Sequence, residues 1–296
     1  MTLKVKRKIT YYVVLALGIA AALVWFAVFQ IEASGGFLRI YFFDVGQGDA
    51  IFIESPGGNQ VLIDGGPDNS VLAKLGEVMP FWDRSIDLVI LTHPHADHLD
   101  GLVEVLKRYD VGTVLESGVN HTIPEYAEWH ELLEEKNVKV VIAKAGQRIQ
   151  LSDAAYLDIL TPLEDFIGKS PKDMHDATVV SKLTYASTAI LFMADAERPL
   201  EFRLLDSSFQ ILDSDILKAG HHGSKTSSSE GFLEAVSPEI AVISTGKKNR
   251  YGHPHQEVID RLNKLGIKIF RTDTDGDVTF VSNGVQFSLD KPRTEK

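Results

Sequence analysis

The stretch Leu91-Thr92-His93-Pro94-His95-Ala96-Asp97-His98-Leu99-Asp100-Gly101 places three histidines and a carboxylate between positions 93 and 98. Upstream, Ile86 to Leu91 is apolar apart from Asp87, as a buried strand would be. Downstream, Leu99, Leu102, Val103 and Leu106 recur at helical spacing. The cluster therefore falls where a strand ends and a helix begins, the usual place for chemistry in a layered α/β fold. His93 and His95 are two apart, so in extended chain they point the same way. Pro94 holds His93 in the β region. Asp97 and His98 follow as the chain turns and can approach the same point from the other side. Neutral imidazoles with a carboxylate suit zinc, and also iron or manganese.

Composition narrows the choices. The chain has 296 residues, room for one large domain or two modest ones, and its apolar content allows a sizeable core. There is no cysteine, so disulfides and thiolate sites are excluded and histidines and carboxylates are the strong ligands that remain. The formal net charge is -11. Such an acidic chain repels polyphosphate at long range, so any action on a nucleic acid must rely on metal and on local bases. Lys218, Lys225, Lys247, Lys248 and Arg250 are the candidates, with a solvated surface as the expectation for most of them.

Lys4, Lys6, Arg7 and Lys8 precede an uncharged run from Ile9 to Phe29. Twenty-one residues at ~1.5 Å each give ~31 Å, enough to span a bilayer core. Tyr11 and Tyr12 at one end and Trp25, Phe26 and Phe29 at the other suit aromatic belts, and the basic residues favour a cytoplasmic N-terminus. The expected layout is a cytoplasmic basic segment at 1–8, a transmembrane anchor at 9–30, a linker at 31–36, a catalytic domain at 37–290 and a tail at 291–296. Everything after the anchor would then lie outside the cell membrane. A cleaved signal peptide, leading to secretion, is the alternative.

Further along, Ala50 to Glu54 and Gln60 to Ile63 read as a hairpin. Pro124 to Glu135 reads as a helix with a proline start. Val179 to Tyr185 and Ala189 to Met193 form a second hairpin. Ile216 to Lys218 is a strand, and His255 to Lys264 a helix closed by Gly266. Strand-rich runs with interspersed helices in both halves suggest two facing sheets with helices outside.

His-x-His-x-Asp-His at a strand-to-helix turn resembles the first metal motif of the metallo-β-lactamase superfamily. Four other stretches are similar to the hydrolase domain of ComEC-type competence proteins: Phe42-Phe43-Asp44-Val45-Gly46-Gln47-Gly48-Asp49-Ala50, Leu62-Ile63-Asp64-Gly65-Gly66, Gly220-His221-His222-Gly223-Ser224 and Tyr251-Gly252-His253-Pro254-His255. The resemblance covers about Leu38 to Leu289. It implies an α+β, four-layer αββα sandwich, here preceded by a transmembrane helix, and a site for two divalent metal ions, zinc first with manganese as the alternative.

By that resemblance the ligands are His93, His95, Asp97 and His98, then His175, a bridging Asp195 and a last ligand, His221. ComEC-type sequences usually have Asn where His175 stands, and Asp176 is a nearby alternative. Ala194 replaces the glycine that precedes the bridging carboxylate, a mild departure only where φ is negative. Asp44 and Asp64 would sit close to the metals, or else only cap turns. Asp97 would orient the nucleophile. His222 would face substrate or donate to a carboxylate that orients His221. His255 is the general-acid candidate, with Ser224, Lys225 and His253 as substrate contacts.

The implied activity is hydrolysis of a phosphodiester, with DNA as a candidate substrate and a DNA-uptake complex as a candidate partner. A metallo-hydrolase of an ester, amide or lactam is the second reading. A non-catalytic surface partner of an uptake or envelope complex is the third.

Overall fold

The computed structural model describes residues 11–25, 36–208 and 212–290. In the first part, α1 (11–25) precedes β1 (Leu38–Phe42), β2 (Ile51–Glu54), β3 (Gln60–Ile63), α2 (Ser70–Val78), β4 (Ser85–Leu91), α3 (Ala96–Arg108), β5 (Asp110–Glu116), α4 (Pro124–Glu135) and β6 (Lys139–Ile142). Next come β7 (Arg148–Gln150), β8 (Ala155–Ile159), a 3-10 turn at Met174–Ala177, β9 (Ser181–Tyr185), β10 (Thr188–Phe192), α5 (Arg198–Ser208) and β11 (Ile216–Lys218). A second 3-10 turn at Gly220–Gly223 leads to α6 (Glu230–Val236), β12 (Ile240–Ile243), α7 (Gln256–Lys264), β13 (Lys268–Arg271), α8 (Thr272–Asp275), β14 (Val278–Ser282) and β15 (Phe287–Asp290).

Among the described residues, fifteen strands form two sheets. One has eight strands in the order β15-β14-β1-β2-β3-β4-β5-β6, the other seven in the order β13-β12-β11-β10-β9-β8-β7. Their inner faces share a core that includes Ile40, Phe42, Ile53 and Ile90 from one sheet and Leu157, Ile190, Phe192 and Val242 from the other. A second apolar layer lies between the first sheet and α2, α3 and α4, and a third between the second sheet and α5, α6 and α7. This is the expected αββα sandwich.

Helix α3 shows how patterning sets a layer. Leu99, Leu102, Val103 and Leu106 are buried on one stripe, and each full burial contributes roughly 1.5–3 kcal/mol. Asp97 lies in its first turn and Lys107 and Arg108 in its last, both favourable to the helix dipole.

Each sheet has a parallel block: β3-β4-β5-β6 in one and β10-β11-β12-β13 in the other. The chain segments that leave the C-terminal ends of β4, β10 and β11 meet at one end of the sandwich, where such folds place ligands. Strand β7 and helix α8 were not expected from the sequence, being too short to show a period.

The basic segment 1–8 and the tail 291–296 lie outside the described residues, as do most of the linker and both ends of the expected anchor. Within that anchor, 11–25 is helical with exposed side chains. Among the described residues no helix is long and apolar enough to cross a membrane.

Candidate functional site

Four donors come from the turn between β4 and α3. The His93 ring is fully buried, with Nδ1 3.1 Å from Thr92 Oγ1 and Nε2 3.0 Å from His95 Nδ1. Burial, reinforced by the charge of His98, holds His93 well below its ordinary value. Burial and then the electrostatic influence of the neighbouring rings lower His95 to about 4. Both rings are therefore neutral and available as ligands. His98 is held by Asp64, whose Oδ2 lies 2.7 Å from its Nδ1. Asp64 is itself fixed by the Thr92 backbone N–H at 2.9 Å and hydroxyl at 2.7 Å. It sits at φ 57°, and its contact with His98 goes beyond turn capping: it orients a ring of the cluster. Among the described residues, the Asp44 side chain accepts from the Gly46 N–H, at 3.2 Å, as a turn cap does.

The other donors arrive singly. His175 stands in the Met174–Ala177 turn. Asp195 follows β10 and is nearly fully buried. Its Oδ2 lies 3.3 Å from His98 Nε2, 3.7 Å from His93 Nε2 and 4.0 Å from His175 Nε2. Its Oδ1 lies 3.4 Å from His222 Nε2. Asp195 thus touches donors of both halves. Ala194, a mild departure only at negative φ, has φ 44°. That left-handed backbone costs a residue with a Cβ about 1–2 kcal/mol. Its carbonyl accepts from the His221 N–H at 2.9 Å and from Lys218 Nζ at 3.1 Å, which hold the turn in place.

The two histidines of the pair engage different partners. His222 is buried, and its Nδ1 is 2.9 Å from the Ser244 carbonyl. A carbonyl only accepts, so Nδ1 carries a proton and Nε2 faces Asp97 Oδ2 at 3.3 Å. His221 instead sets Nδ1 2.9 Å from Glu197 Oε1, and its Nε2 is 3.8 Å from Asp195. The cause is backbone: His221 and His222 both have left-handed φ, 46° and 52°, so they leave the strand end in different directions.

Two four-residue groups result, each with ligand atoms within 4.8 Å of one another: His93, His95, His175 and Asp195, and Asp97, His98, His222 and Asp195. His221 joins His175 and Glu197 in a three-residue group. The set fits cations. His98 Nε2, His222 Nε2 and Asp195 Oδ1 are all buried and without a hydrogen-bond partner, yet they converge. Such atoms are costly unless something satisfies them. Burial alone would lower His222, but Asp195 and Asp49 outweigh it and raise it to about 9. Burial is likewise overcome at His98, which Asp195, Asp64 and Asp97 raise well above its ordinary value. A field that holds protons on these nitrogens would equally hold divalent cations in their place.

The open part is a cleft of about 190 Å³ whose walls include His95, His175, His221, Tyr251, His253 and Gln47. His253 is part of that wall. His255, Ser224 and Lys225 do not line the cleft. His255 Nδ1 accepts from the Lys225 backbone N–H at 3.2 Å, and Ser224 Oγ pairs with Thr226 Oγ1 at 2.8 Å. These three shape the loop that carries the histidine pair. Lys218 is no surface base: it is fully buried and ion-paired with Asp49. Sequence reasoning missed Asp49 and Glu197 as partners of the histidines. Asp49 adjoins the quoted Gly46-Gln47-Gly48 turn, which was the available signal; Glu197 had none.

Residues 43–247 match the family model described as the metallo-beta-lactamase superfamily. The chain belongs to that superfamily. It is 30% identical to ComE operon protein 3 of Bacillus subtilis over 80% of this chain and 32% of that protein. It is 31% identical to competence protein ComA of Neisseria gonorrhoeae over 80% of this chain and 31% of that one. The chain thus spans about a third of the length of these curated relatives. Among solved structures, CmlA, a diiron beta-hydroxylase from Streptomyces venezuelae, superposes with a TM-score of 0.54 at 15% identity, covering 82% of this chain and 53% of that one. Zn(2+)-bound PqqB from Methylobacterium extorquens gives 0.50 at 13% identity, over 79% and 87%. At such identities these two show the fold alone. The chain is thus a member of the metallo-beta-lactamase superfamily with competence-protein homologues and with clustered His/Asp donors that could hold metal ions.

Proposed function

We propose that this metallo-beta-lactamase domain hydrolyses phosphodiesters with two divalent ions, zinc or manganese, and works on the outer face of a membrane to which residues 9–30 tether it. The observation that carries the two-ion reading is the convergence of buried, unpartnered nitrogen and oxygen donors from both halves of the chain on Asp195. His93, His95 and His175 would hold one ion, and Asp97, His98 and His222 the other, with Asp195 shared. Once bound, such ions lower the pKa of water toward neutrality and polarise the scissile group. Asp64 keeps His98 oriented through its 2.7 Å contact. Glu197 does the same for His221, whose Nδ1 it engages. Burial lowers His221, so its ring is neutral and Nε2 is free to take a proton in the cleft.

The choice of phosphodiester, and of DNA in an uptake complex, draws on the competence relatives by analogy. The net charge of -11 favours the rival reading, an uncharged ester, amide or lactam. The test is turnover of bis(p-nitrophenyl) phosphate, single-stranded DNA and a carboxylic-ester panel by metal-loaded protein. We expect phosphodiester turnover that His93→Ala abolishes. Ester turnover alone would move the substrate to the rival class, and turnover unchanged by His93→Ala would reject the site. Anchoring is read separately, in vesicles of brominated lipid. Trp25 fluorescence should be quenched there, and the quenching lost in Trp25→Phe; an unquenched chain overturns the tether.

A further inference from the structure

The motif Gly46-Gln47-Gly48 has no part in the donor set, yet Gln47 lines the cleft beside Asp97, Asp195 and His222. Its orientation is determined. The Gly246 backbone N–H lies 3.2 Å from one side-chain atom of Gln47, and the Thr245 hydroxyl is also 3.2 Å from that atom. A backbone N–H can only donate, so the atom must be Oε1, and Nε2 is turned away from Gly246. Nε2 is buried and has no partner.

The loop around it is built for close approach. Gly46 and Gly48 take φ of 80° and 145°. A Cβ on Gly48 would lie 2.2 Å from the Asp97 carbonyl oxygen, so the loop rests directly on the turn that carries Asp97. A Cβ on Gly246 would lie 2.7 Å from the Gln47 backbone nitrogen. Asn249 braces the other side: its Nδ2 donates to the carbonyls of Gly246 at 2.8 Å and His253 at 2.7 Å. The amide is thus held rigidly, acceptor satisfied and donor free.

The geometry points to Gln47 as a catalytic residue whose Nε2–H donates to the substrate oxygen that gains negative charge, a non-bridging phosphoryl oxygen in a phosphodiester. This rests on the hydrolase reading above. A fixed neutral donor needs no reorganisation as charge develops, so its effect falls on the transition state. It also suits a chain of net charge -11, because an amide stabilises an anion without adding a cation that the nearby carboxylates would capture.

The experiment compares wild type with Gln47→Met, which keeps length and loses the donor, and Gln47→Glu, which puts an acceptor there. Full chain loaded with manganese is assayed on bis(p-nitrophenyl) phosphate and a p-nitrophenyl carboxylic ester, and titrated calorimetrically with inorganic phosphate. Metal content and melting temperature are measured alongside. We expect wild-type metal content in both variants and kcat about a hundredfold lower, with KM little changed. Phosphate affinity should fall about tenfold. Unchanged kcat and phosphate affinity overturn the assignment, as does a rate loss that only follows metal loss. If wild type cleaves the ester alone, the phosphodiester reading fails while the same kcat loss on the ester still upholds Gln47. If wild type cleaves neither, phosphate binding decides, and equal binding by wild type and Gln47→Met overturns it.

Discussion

Four donors of the site, His93, His95, Asp97 and His98, come from one short run, whereas His175, Asp195 and His222 come from three segments separated by whole strands and helices. The contiguous run needs only a strand that stops and a helix that starts. The scattered three depend on the second sheet being complete, and two of them hang on left-handed backbone at Ala194 and at His221-His222. One half of the centre is thus specified locally and the other by tertiary structure. Substitutions in the second half should therefore disturb fold and site together more often than those in the first.

The largest separation is expected within the histidine pair. His222→Ala should lower both turnover and bound metal by more than about a hundredfold, as loss of a direct donor exceeds the usual cost of losing an outer partner. His221→Ala should keep its metal and lose rate. Elemental analysis beside turnover checks this, and equal metal loss in both variants would put the two rings on the same footing.

Next comes Lys218→Met. It leaves Asp49 a buried anion without its ammonium, a change that costs about 3–5 kcal/mol. Urea unfolding of apo-protein measures it; a cost below that of a surface ion pair would show that Asp49 finds another partner. The smallest effect is a gain. Ala194→Gly relieves a left-handed Cβ and should stabilise by about 1 kcal/mol, with donors unmoved. An unchanged or lower melting temperature would mean that the hydrogen bonds on its carbonyl already offset the strain.

Legibility followed the same division. The β2-β3 and β9-β10 hairpins, helix α4 and strand β11 were readable because period and punctuation are local. The motif at His93 to His98 was readable for the same reason. The different partners of His221 and His222 were not. Adjacent histidines after a strand look alike until the sign of φ is known, and alternation along a strand is no guide once the strand has ended. At Ala194 the question stayed open for that reason too, since an alanine gives no sign of a left-handed turn. Lys218 looked like a surface base because composition cannot show that Asp49, 169 positions earlier, waits for it in the interior.

The seam between the sheets has a last consequence. Because donors from each sheet meet on Asp195, a bound cation would act as a rivet joining the two halves. Loading can only follow their docking, and each captured ion would make separation harder by the free energy of its own binding.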